Sequence, residues 1–287
     1  GLPSLPSTFG SFGLWTNFTS LSFHRGKWSG YTYYNRRSSQ GFRPHSAFEA
    51  EHTYATLIYK PTIRTTIAFE HTFLNYLAQQ PGGLTDSQFS SDPWQSNRDR
   101  NWFKVDWQLY QARLNHKFSA STTWSTTATV LAASRQSLGF RGVPGLLNIN
   151  PISAVDEREP EDGYVYPRDL ISGTFNNFNF ESKLLHRYQI GDRRNVALVG
   201  VKLFEARNEA RQGAGSNGAD ADFRHMDDLF PEYPAQSSFT FPNTNYAAFA
   251  EHIFYLPGGW SLTPGLRYEY IRTRASGTYQ NVVFDNA

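Results

Sequence analysis

The stretch GGWSLTPGLRYEYIRTR, from Gly258 to Arg274, decides which fold the sequence predicts. Apolar and polar side chains alternate along it from Trp260 onward. The apolar set is Trp260, Leu262, Pro264, Leu266, Tyr268 and Tyr270, and the polar set is Ser261, Thr263, Gly265, Arg267 and Glu269. Side chains of a strand repeat with period two, so a strand here has one apolar face and one polar face. The apolar face needs either a protein core or lipid to cover it.

The composition of the 287-residue chain favours strands with an aromatic surface over a domain with an aliphatic core. Aromatic residues make up 16% of it, with 23 Phe, 16 Tyr and 7 Trp. No run of about 18 apolar residues is present, so the sequence predicts no transmembrane helix. The absence of Cys excludes disulfides and thiolate metal sites. A net charge of only +2 gives no support to nucleic-acid binding.

Alternation along the chain predicts an all-β fold with ten strands. The predicted segments are residues 10–24, 27–36, 49–60, 63–77, 101–118, 122–138, 174–189, 194–207, 244–255 and 260–274. In the seventh segment, Phe178 and Phe180 oppose Glu181 and Lys183. In the fifth, an apolar set (Phe103, Val105, Trp107, Leu109) opposes a polar set (Lys104, Asp106, Gln108, Tyr110).

The connections between these segments alternate between short and long. The short ones are 24–27, 59–63, 118–122, 189–195 and 256–260, and the long ones are 36–48, 78–100, 139–169 and 208–243. Outer-membrane barrels have this pattern, with tight periplasmic turns and long extracellular loops. A closed barrel also satisfies every backbone polar group in a bilayer. The sequence therefore predicts an antiparallel transmembrane β-barrel, with the Trp260 side facing lipid and Arg267 and Glu269 facing a polar lumen.

Other classes of β protein share part of this pattern. A soluble β-sandwich, a lectin-like protein or a secreted β-rich binding protein also has alternating strands and turns. Their strands average 5–6 residues, however, whereas those predicted here run to between about 10 and 18. A passive outer-membrane porin or a polysaccharide-export barrel remains the alternative function.

The direction of the strands makes a further prediction. If the short turns are periplasmic, segment 10–24 runs inward and segment 260–274 runs outward. Both ends of the chain would then be extracellular, whereas complete barrels keep both termini in the periplasm. Residues 1–287 are therefore predicted to be one part of the barrel domain of a longer protein. The ending GTYQNVVFDNA is interpreted as a loop.

Three stretches of the chain carry a family resemblance. Residues 76–107 combine a Pro-Gly-Gly-Leu-Thr loop with an Arg-Asn-Trp-Phe strand start. Residues 245–270 contain an aromatic-rich strand, a short turn and the pattern Trp-x-x-Thr-Pro-Gly-x-Arg-x-Glu. The third stretch is GFRPHSAFEAEH at 41–52. In this order they resemble TonB-dependent outer-membrane receptors of the ferric-citrate and siderophore type.

The resemblance implies a 22-stranded barrel with an N-terminal plug, in the outer membrane of a Gram-negative bacterium. It implies uptake of a ferric chelate, with outer-membrane lipid and the TonB complex as partners. At about 29 residues per strand, 22 strands need roughly 630 residues, and such transporters have plugged lumens. The plug, through which TonB would act, and the remaining strands are therefore expected outside these 287 residues.

No motif for covalent chemistry is present. The chain has no Gly-x-Ser-x-Gly, no phosphate-binding Gly loop and no His-Glu-x-x-His, so it is predicted to be neither an enzyme nor a cofactor protein. One mixed cluster, Asp220, Asp222, His225, Asp227 and Asp228, has oxygen ligands that suit Ca²⁺. A solvated acidic loop is the favoured interpretation, and no metal site is predicted. The run VDEREPEDG at 155–163 is likewise interpreted as solvated charge.

The candidate ligand contacts are Arg, Gln and Trp residues of the long loops. An anionic ferric chelate presents carboxylates, which the planar fork of Arg binds in a bidentate manner. The candidate residues are Arg43, Gln79, Gln80, Trp94, Arg98, Arg100, Arg141 and Arg168. The alternative for each Arg is structural pairing with Asp or Glu, as predicted for Arg267 with Glu269. The Pro81–Gly82 step predicts a type II turn with Gly82 at positive φ.

Overall fold

The computed structural model describes residues 6–142, 152, 154–159, 163–234, 236–280 and 282–286. Their backbone forms one antiparallel sheet and a separate two-stranded hairpin. The main strands are β1 (Ser7–Gly10), β2 (Leu14–Arg25), β3 (Trp28–Ser39), β4 (Phe48–Thr62), β5 (Thr65–Gln79), β6 (Trp102–Lys117), β7 (Thr122–Gly139), β10 (Asp169–Ile190), β11 (Arg193–Ala214), β12 (Ser237–Tyr255), β13 (Ser261–Leu262), β14 (Gly265–Thr273), β15 (Ala275–Tyr279) and β16 (Val282–Asn286). The separate hairpin pairs β8 (Arg158–Glu159) with β9 (Gly163–Tyr164), and one helix, α1, spans Asp86–Ser91.

All ten predicted strands are present, and each pairs with its neighbour in sequence order. Three of them are at least six residues longer than predicted. β10 and β11 continue as one unbroken ladder from Ile190–Arg193 to Asp169–Ala214, and β12 follows β11 as far as Ser237. In the described residues no helix is long and apolar enough to cross a membrane.

The ending of the chain differs from its prediction. Residues 277–287 were expected to be a loop, but β15 and β16 form a hairpin whose first strand pairs with Ser237–Thr240 of β12. The stretch contains Thr278, Tyr279, Val282, Val283 and Phe284, and residues of these types fit a pleated surface. The loop interpretation was therefore wrong for these residues.

The predicted separation of short and long connections is confirmed. The short connections are 26–27, 63–64, 118–121, 191–192 and 256–260, and all lie at one end of the sheet, which we call the turn end. The long connections are 40–47, 80–101, 140–168 and 215–236, and they lie at the opposite end, the loop end. The long loops and the tight turns thus occupy opposite ends of the same strands.

Strand register assigns every side chain to one of two faces, because directly paired residues lie on the same side of a sheet. We name the faces after Tyr268 and Arg267, which are adjacent in β14. One lateral row of the Tyr268 face is Gly30, Leu57, Phe69, Ala112, Ala128, Phe180, Leu203, Tyr246 and Tyr270. This row and the rows between it and the turn end form an apolar belt.

The polarity of the Tyr268 face changes towards the loop end. One row there is Arg36, Glu51, Asn75, Asp106, Ser134, Thr174, Glu209 and Thr240, and it contains no apolar side chain. Tyr residues mark the boundary, since the hydroxyls of Tyr34 and Tyr246 donate to Glu51 and Glu205 at 3.0 and 2.9 Å. The belt is thus limited to the half of the sheet nearer the turns.

The Arg267 face has the opposite arrangement. Level with the belt it carries the charged row Arg113, Thr127, Glu181, Lys202, Ala247 and Glu269. The predicted ion pair of Arg267 and Glu269 is present at 2.8 Å. Towards the loop end the same face carries aromatic and aliphatic side chains among polar ones, mainly on β2 to β6.

The reversal is visible within β6. The predicted opposition of its apolar set, Phe103 to Leu109, to the set Lys104 to Tyr110 is confirmed. Register places Trp107 and Leu109 on the Arg267 face, whereas Tyr110 and Leu114 lie on the Tyr268 face within the belt. The strand therefore exchanges its apolar side between Leu109 and Tyr110.

The best-buried apolar residues lie at the loop end. Leu138, Phe140, Leu170 and Ala214 are almost fully buried where β7, β10 and β11 end. The nearest atom to a Cβ placed on Gly215 would be a methyl carbon of Leu138, at 2.5 Å, so the chain after β11 packs directly on this cluster. The long loops are therefore held by a small core of their own.

We predict that Gly277→Ala detaches the terminal hairpin. A Cβ at this position would lie 2.1 Å from the Ser238 carbonyl oxygen. This oxygen belongs to the backbone of the paired strand, so it cannot move aside as the end of a flexible side chain could. The expected cost is about 1–3 kcal/mol of overpacking, seen as faster hydrogen exchange in 237–240 and 275–280. Gly265→Ala is the control, because its nearest atom is 3.5 Å away, and it should leave exchange unchanged. Equal exchange in both variants would contradict the close pairing of β12 with β15.

Candidate ligand-binding site

The long loops form one packed platform across the loop end. Arg43 of loop 40–47 donates to the Gly82 carbonyl of loop 80–101 at 2.7 Å. Asn97 of the second loop donates to the Ile152 carbonyl of loop 140–168 at 3.2 Å. Asn217 of loop 215–236 donates to the Tyr164 carbonyl at 2.7 Å. Each long loop is therefore tied to the next by a side-chain hydrogen bond.

Arg100 is the central connection of this platform. It is fully buried, and its Nε and Nη2 donate to the two carboxylate oxygens of Asp156 at 2.6 and 2.5 Å, forming a bidentate ion pair. Its other contacts are the carbonyls of Tyr166 and Asn217, and its guanidinium lies 3.8 Å from the Tyr164 ring centroid. Asp156 was predicted to lie in a solvated charge run, but its side chain is only 7% exposed. The bidentate geometry that suggested a ligand contact is used inside the protein.

Arg168 repeats this arrangement one loop further. It is fully buried, and its donors reach the carbonyls of Ser216, Arg100 and Asp220 and the Ser216 hydroxyl. Burial, with the nearby charge of Arg100, lowers the pKa of Arg168 to about 10. The side chain therefore stays charged at neutral pH.

Asp99 joins the same platform through the short hairpin. It accepts a hydrogen bond from the Tyr164 hydroxyl at 2.8 Å and another from Arg158. Burial acts to raise the pKa of Asp99, but these two hydrogen bonds outweigh it and lower the pKa. The carboxylate is therefore ionised at neutral pH and holds β8 and β9 against loop 80–101.

Arg141 lies apart from the other candidate arginines. Its Nε is 3.1 Å from Asp169, and its Nη2 donates to Ser137 at 2.7 Å, yet 46% of its side chain stays exposed. Burial raises the pKa of Asp169, which also accepts hydrogen bonds from Gln212 and Tyr233. Arg141 is therefore anchored at one edge and open at the other.

A cavity of about 560 Å³ opens between the loops. It is lined by Pro44, His45, Gln88, Gln95, Ser96, Asn97, Arg98, Asp99, Ile152, Ala154, Val155 and Asp156. Arg98 is mostly buried, its guanidinium lies 5.1 Å from the Phe140 centroid, and burial lowers its pKa. Gly82, at φ +78°, has the predicted positive φ, and its Cα approaches the Arg98 stem too closely for a Cβ.

The remaining candidates, Gln79, Gln80 and Trp94, lie in loop 80–101 or at the strand end beside it. The backbone amide of Gln79, at the end of β5, donates to the Ala47 carbonyl, and that of Gln80 donates to the Asn101 carbonyl, each at 2.8 Å. The Gln80 side chain is exposed. Trp94 is 55% exposed and lies 6.1 and 6.3 Å, centroid to centroid, from Phe42 and Phe12. The structure thus brings Arg43, Arg98, Arg100 and Arg168 together, with Trp94 against Phe42 next to Arg43, and leaves Arg141 paired with Asp169.

A second group of residues was missed by sequence reasoning. Aromatic rings contact one another on the Arg267 face just below the loops, and Trp107 lies on the same face, 36% exposed. We call this group the aromatic wall; its members are Phe18, Tyr33, Phe48, Tyr54, Tyr76, Phe103 and Trp107. Neighbouring rings lie between 5.4 and 6.4 Å apart in the pairs Phe18–Tyr33, Tyr33–Tyr54, Phe48–Tyr76 and Tyr76–Phe103. Their alternation is visible in the sequence, but which face they occupy depends on the register.

The acidic cluster at 220–228 is not arranged as a metal site. Asp222 pairs with Arg224 at 2.7 Å, and Asp227 pairs with Arg211 at 2.5 Å. Burial and the Arg211 charge lower the pKa of His225, which lies 3.1 Å from the Ser172 hydroxyl. Across the described ranges no group of three acidic or His residues could hold a metal ion.

Comparison with known proteins gives a family match. A family model described as TonB dependent receptor-like, β-barrel, matches residues 53–286. No curated protein matches the chain by sequence.

Several solved structures share the fold. The unliganded ferric citrate transporter FecA is 15% identical, with a TM-score of 0.72 over 96% of this chain and 38% of its own. FpvA of P. aeruginosa, bound to a heterologous pyoverdine and iron, is 12% identical, with a TM-score of 0.68 over 99% and 38%. The ferric-catecholate import receptor Fiu of E. coli K12 is 10% identical, with a TM-score of 0.68 over 94% and 44%. The chain therefore spans about two fifths of the length of these structures.

We predict that Asp156→Ala opens the loop platform. Removing the carboxylate leaves a buried Arg100 charge without its partner, which costs about 3–5 kcal/mol. Hydrogen exchange of residues 163–168 and 215–220 should accelerate accordingly, while the strands below keep their protection. The control is Asp222→Ala, since its partner Arg224 is 76% exposed and such a pair contributes about 1 kcal/mol or less. Similar acceleration in both variants would contradict the central role of Arg100.

We also predict that acid loosens the short hairpin through Asp99. Because its pKa is lowered on folding, its stabilisation is present above the unfolded value of about 4 and is lost as the pH falls through the lower folded value. Exchange at residues 163–165, corrected for intrinsic rates, should therefore speed up below about pH 4. In Asp99→Asn this dependence should disappear. A wild-type profile that is flat down to pH 2 would contradict the assignment.

Proposed function

The chain belongs to the family of TonB-dependent receptor-like β-barrels, and on that premise we propose that the protein takes up a ferric chelate, a siderophore or ferric citrate, across the outer membrane of a Gram-negative bacterium. The proposal treats the described strands as wall and the long loops as the surface that gathers the ligand. Its main support is the aromatic wall, which lies on the Arg267 face directly below the loop platform.

The apolar belt supports the membrane placement. Its aromatic and aliphatic side chains are exposed to a degree that water does not favour, for example Val199 and Val201 at 50% each. Aromatic residues lie towards both margins of the belt, with Trp28 and Tyr59 stacked at the turn end and Tyr246 and Tyr270 nearer the loops. Such girdles belong at the two interfaces of a bilayer. Lipid on the Tyr268 face places the charged row of the Arg267 face in a wet lumen.

The aromatic wall supports a ligand-binding role for the loop end. A lumen wall exposed only to water gains nothing from a cluster of Phe, Tyr and Trp rings, whereas binding sites for organic ligands are lined mainly by such rings with a few polar groups. The polar groups are close by, since Arg37 and Arg135 share a lateral row with Tyr76. An iron chelate with an organic body and anionic oxygens fits both features.

The candidate residues divide into two roles under this proposal. Arg100 and Arg168 hold the loops together, because both are fully buried with their donors engaged inside the protein. Arg98 lines the cavity, Arg43 links loop 40–47 to loop 80–101, and Gln79 hydrogen-bonds Ala47 through its backbone amide. Gln80, Trp94 and Arg141 have exposed side chains and are the proposed ligand contacts.

Active transport by the whole protein rests on the family relationship. A closed 22-stranded barrel, a plug and a TonB contact remain predictions. No covalent chemistry is assigned to these residues, so the ligand would be moved by changes in binding. The ligand class also remains a proposal, because identities of 10–15% support the fold alone.

The function is tested by direct binding of ferric chelates to the protein extracted from outer membranes in detergent. Ferric citrate, a ferric hydroxamate and a ferric catecholate are titrated in turn. We expect Trp107→Leu to weaken binding of the chelate that binds by about 2- to 10-fold, since one aromatic contact contributes about 0.5–1.5 kcal/mol.

The matched control is Trp124→Leu, the same substitution on the Tyr268 face beside Leu184. It should leave the affinity unchanged. Binding of no ferric chelate by the wild-type protein would overturn the proposed function. An equal loss in both variants would remove the aromatic wall from the site.

A further inference from the structure

The turn end of the sheet carries a concentration of positive charge that uptake of a ligand at the loop end does not use. The five short connections and the strand ends beside them contain eight cationic side chains and one carboxylate, Asp192. The cations are Arg25, Lys27, Lys60, Arg64, Lys117, Arg187, Arg193 and Arg194, and all are exposed. A whole-chain charge of +2 conceals this local excess.

These cations differ from those at the loop end in their pairing. At the loop end Arg100, Arg141, Arg158, Arg211 and Arg224 each form an ion pair with an Asp. Among the ion pairs of the described residues, none involves any of the eight turn-end cations. Their charge is thus available to a partner outside the chain.

Two of these cations lie directly at the edge of the apolar belt. Arg25 pairs with Trp28 across the first turn, and Trp28 stacks on Tyr59 at 4.3 Å. Arg193 pairs with Ile190 across the fourth turn. Register places both on the Tyr268 face, Arg25 in the same lateral row as Trp28 and Tyr59, and Arg193 in the row of Ile190. Long cationic side chains in this position extend their charge from the hydrocarbon towards the headgroups.

Polar groups occupy the same margin in a repeated arrangement. Three imidazoles each lie beside a hydroxyl of another strand: His116 by Thr65 at 2.9 Å, His186 by Thr122 at 2.8 Å, and His252 by Tyr188 at 2.6 Å. His116 is on the Tyr268 face because it pairs with Trp124, and His186 and His252 are there because both pair with Ala197. The part of the Tyr268 face nearest the turn end therefore offers hydrogen-bonding groups as well as cations.

We propose that the turn end binds the phosphate groups of anionic phospholipids in the periplasmic leaflet, with Arg25 and Arg193 as direct contacts. The inference rests on the membrane placement in the proposed function and goes beyond ligand uptake. Anionic headgroups attract a Lys or Arg near the surface by about 1 kcal/mol each. Lipid is the occupant favoured here because the two arginines continue the lipid-facing surface, so a single phospholipid can place its chains on the belt and its phosphate on the cations.

The opposite face supplies a matched comparison. Lys60 and Lys117 lie at the same end but line a cavity of about 550 Å³ with Thr66, Asn115 and Thr123, which belong to the Arg267 face. Removing these two charges changes the net charge by the same amount without touching the lipid-facing margin. The pairs Arg25 with Arg193 and Lys60 with Lys117 therefore separate a lipid contact from general electrostatic attraction.

The test uses the membrane-extracted protein reconstituted into vesicles of phosphatidylethanolamine with a minor fraction of phosphatidylglycerol. Either lipid is supplied with brominated chains, and quenching of tryptophan fluorescence reports which lipid lies against the belt. The wild-type protein should enrich brominated phosphatidylglycerol over phosphatidylethanolamine, and added salt should reduce the enrichment. Arg25→Gln with Arg193→Gln should lower it by about fivefold for each cation, and Lys60→Gln with Lys117→Gln should leave it unchanged.

Each alternative result has a definite meaning. Quenching by the two lipids in proportion to their mole fractions in the vesicles overturns the lipid site while leaving the membrane placement intact. Equal loss in the two double variants, or loss only with Lys60 and Lys117, also overturns it, the latter in favour of an anionic partner on the Arg267 face. No quenching by either lipid contradicts the membrane placement itself. Ferric-chelate binding in the same preparation is independent of all these outcomes.

Discussion

The unbroken register of the antiparallel ladder is the constraint on which the rest of the structure depends. In β10 and β11 it runs through 22 consecutive residues in each strand, and a slip of one residue anywhere would exchange the two faces. Such a slip would move Val199 and Leu203 to the side of Arg267, and Lys202 to the side of Tyr268. Because one face is apolar and the other is charged at the same height, the correct register is strongly favoured wherever the belt exists.

The reversal of polarity follows from having two surroundings along one strand. A strand that only crosses a bilayer needs one apolar side and one polar side throughout. In β6 the apolar side changes between Leu109 and Tyr110, so the strand continues past the belt into a region where its other face needs apolar side chains. The aromatic wall and the belt are thus two apolar surfaces on opposite faces at different heights, which suits an organic ligand above and lipid below.

Much of the fold was predictable from the sequence, because alternation and connection length are local properties. The ten strands, the two ends of the sheet and the Arg267–Glu269 pair follow from them. The candidate site was less predictable. Arg100 and Arg141 look alike in sequence, yet one is sealed against Asp156 and the other remains half open. The difference depends on contacts between loops that are distant in sequence. Arg100 and Asp156 are 56 residues apart, and neither residue spacing nor charge pattern predicts such a contact.

The two ends of the sheet treat positive charge in opposite ways, and the reason is physical. A buried Arg in a loop needs a partner, since an unpaired charge away from water costs several kcal/mol. Arg100 is therefore paired with Asp156, and Arg168 donates hydrogen bonds to carbonyls of loop 215–236. The two-residue turns 26–27 and 191–192 are exposed, so Lys27 and the adjacent Arg25 and Arg193 have no such requirement. These cations are stable in water without carboxylate partners, and under the proposal above they gain from an anionic lipid surface beside Arg25 and Arg193. The short turns thus leave their cations available to an external partner, whereas the long loops pair their buried arginines inside the protein.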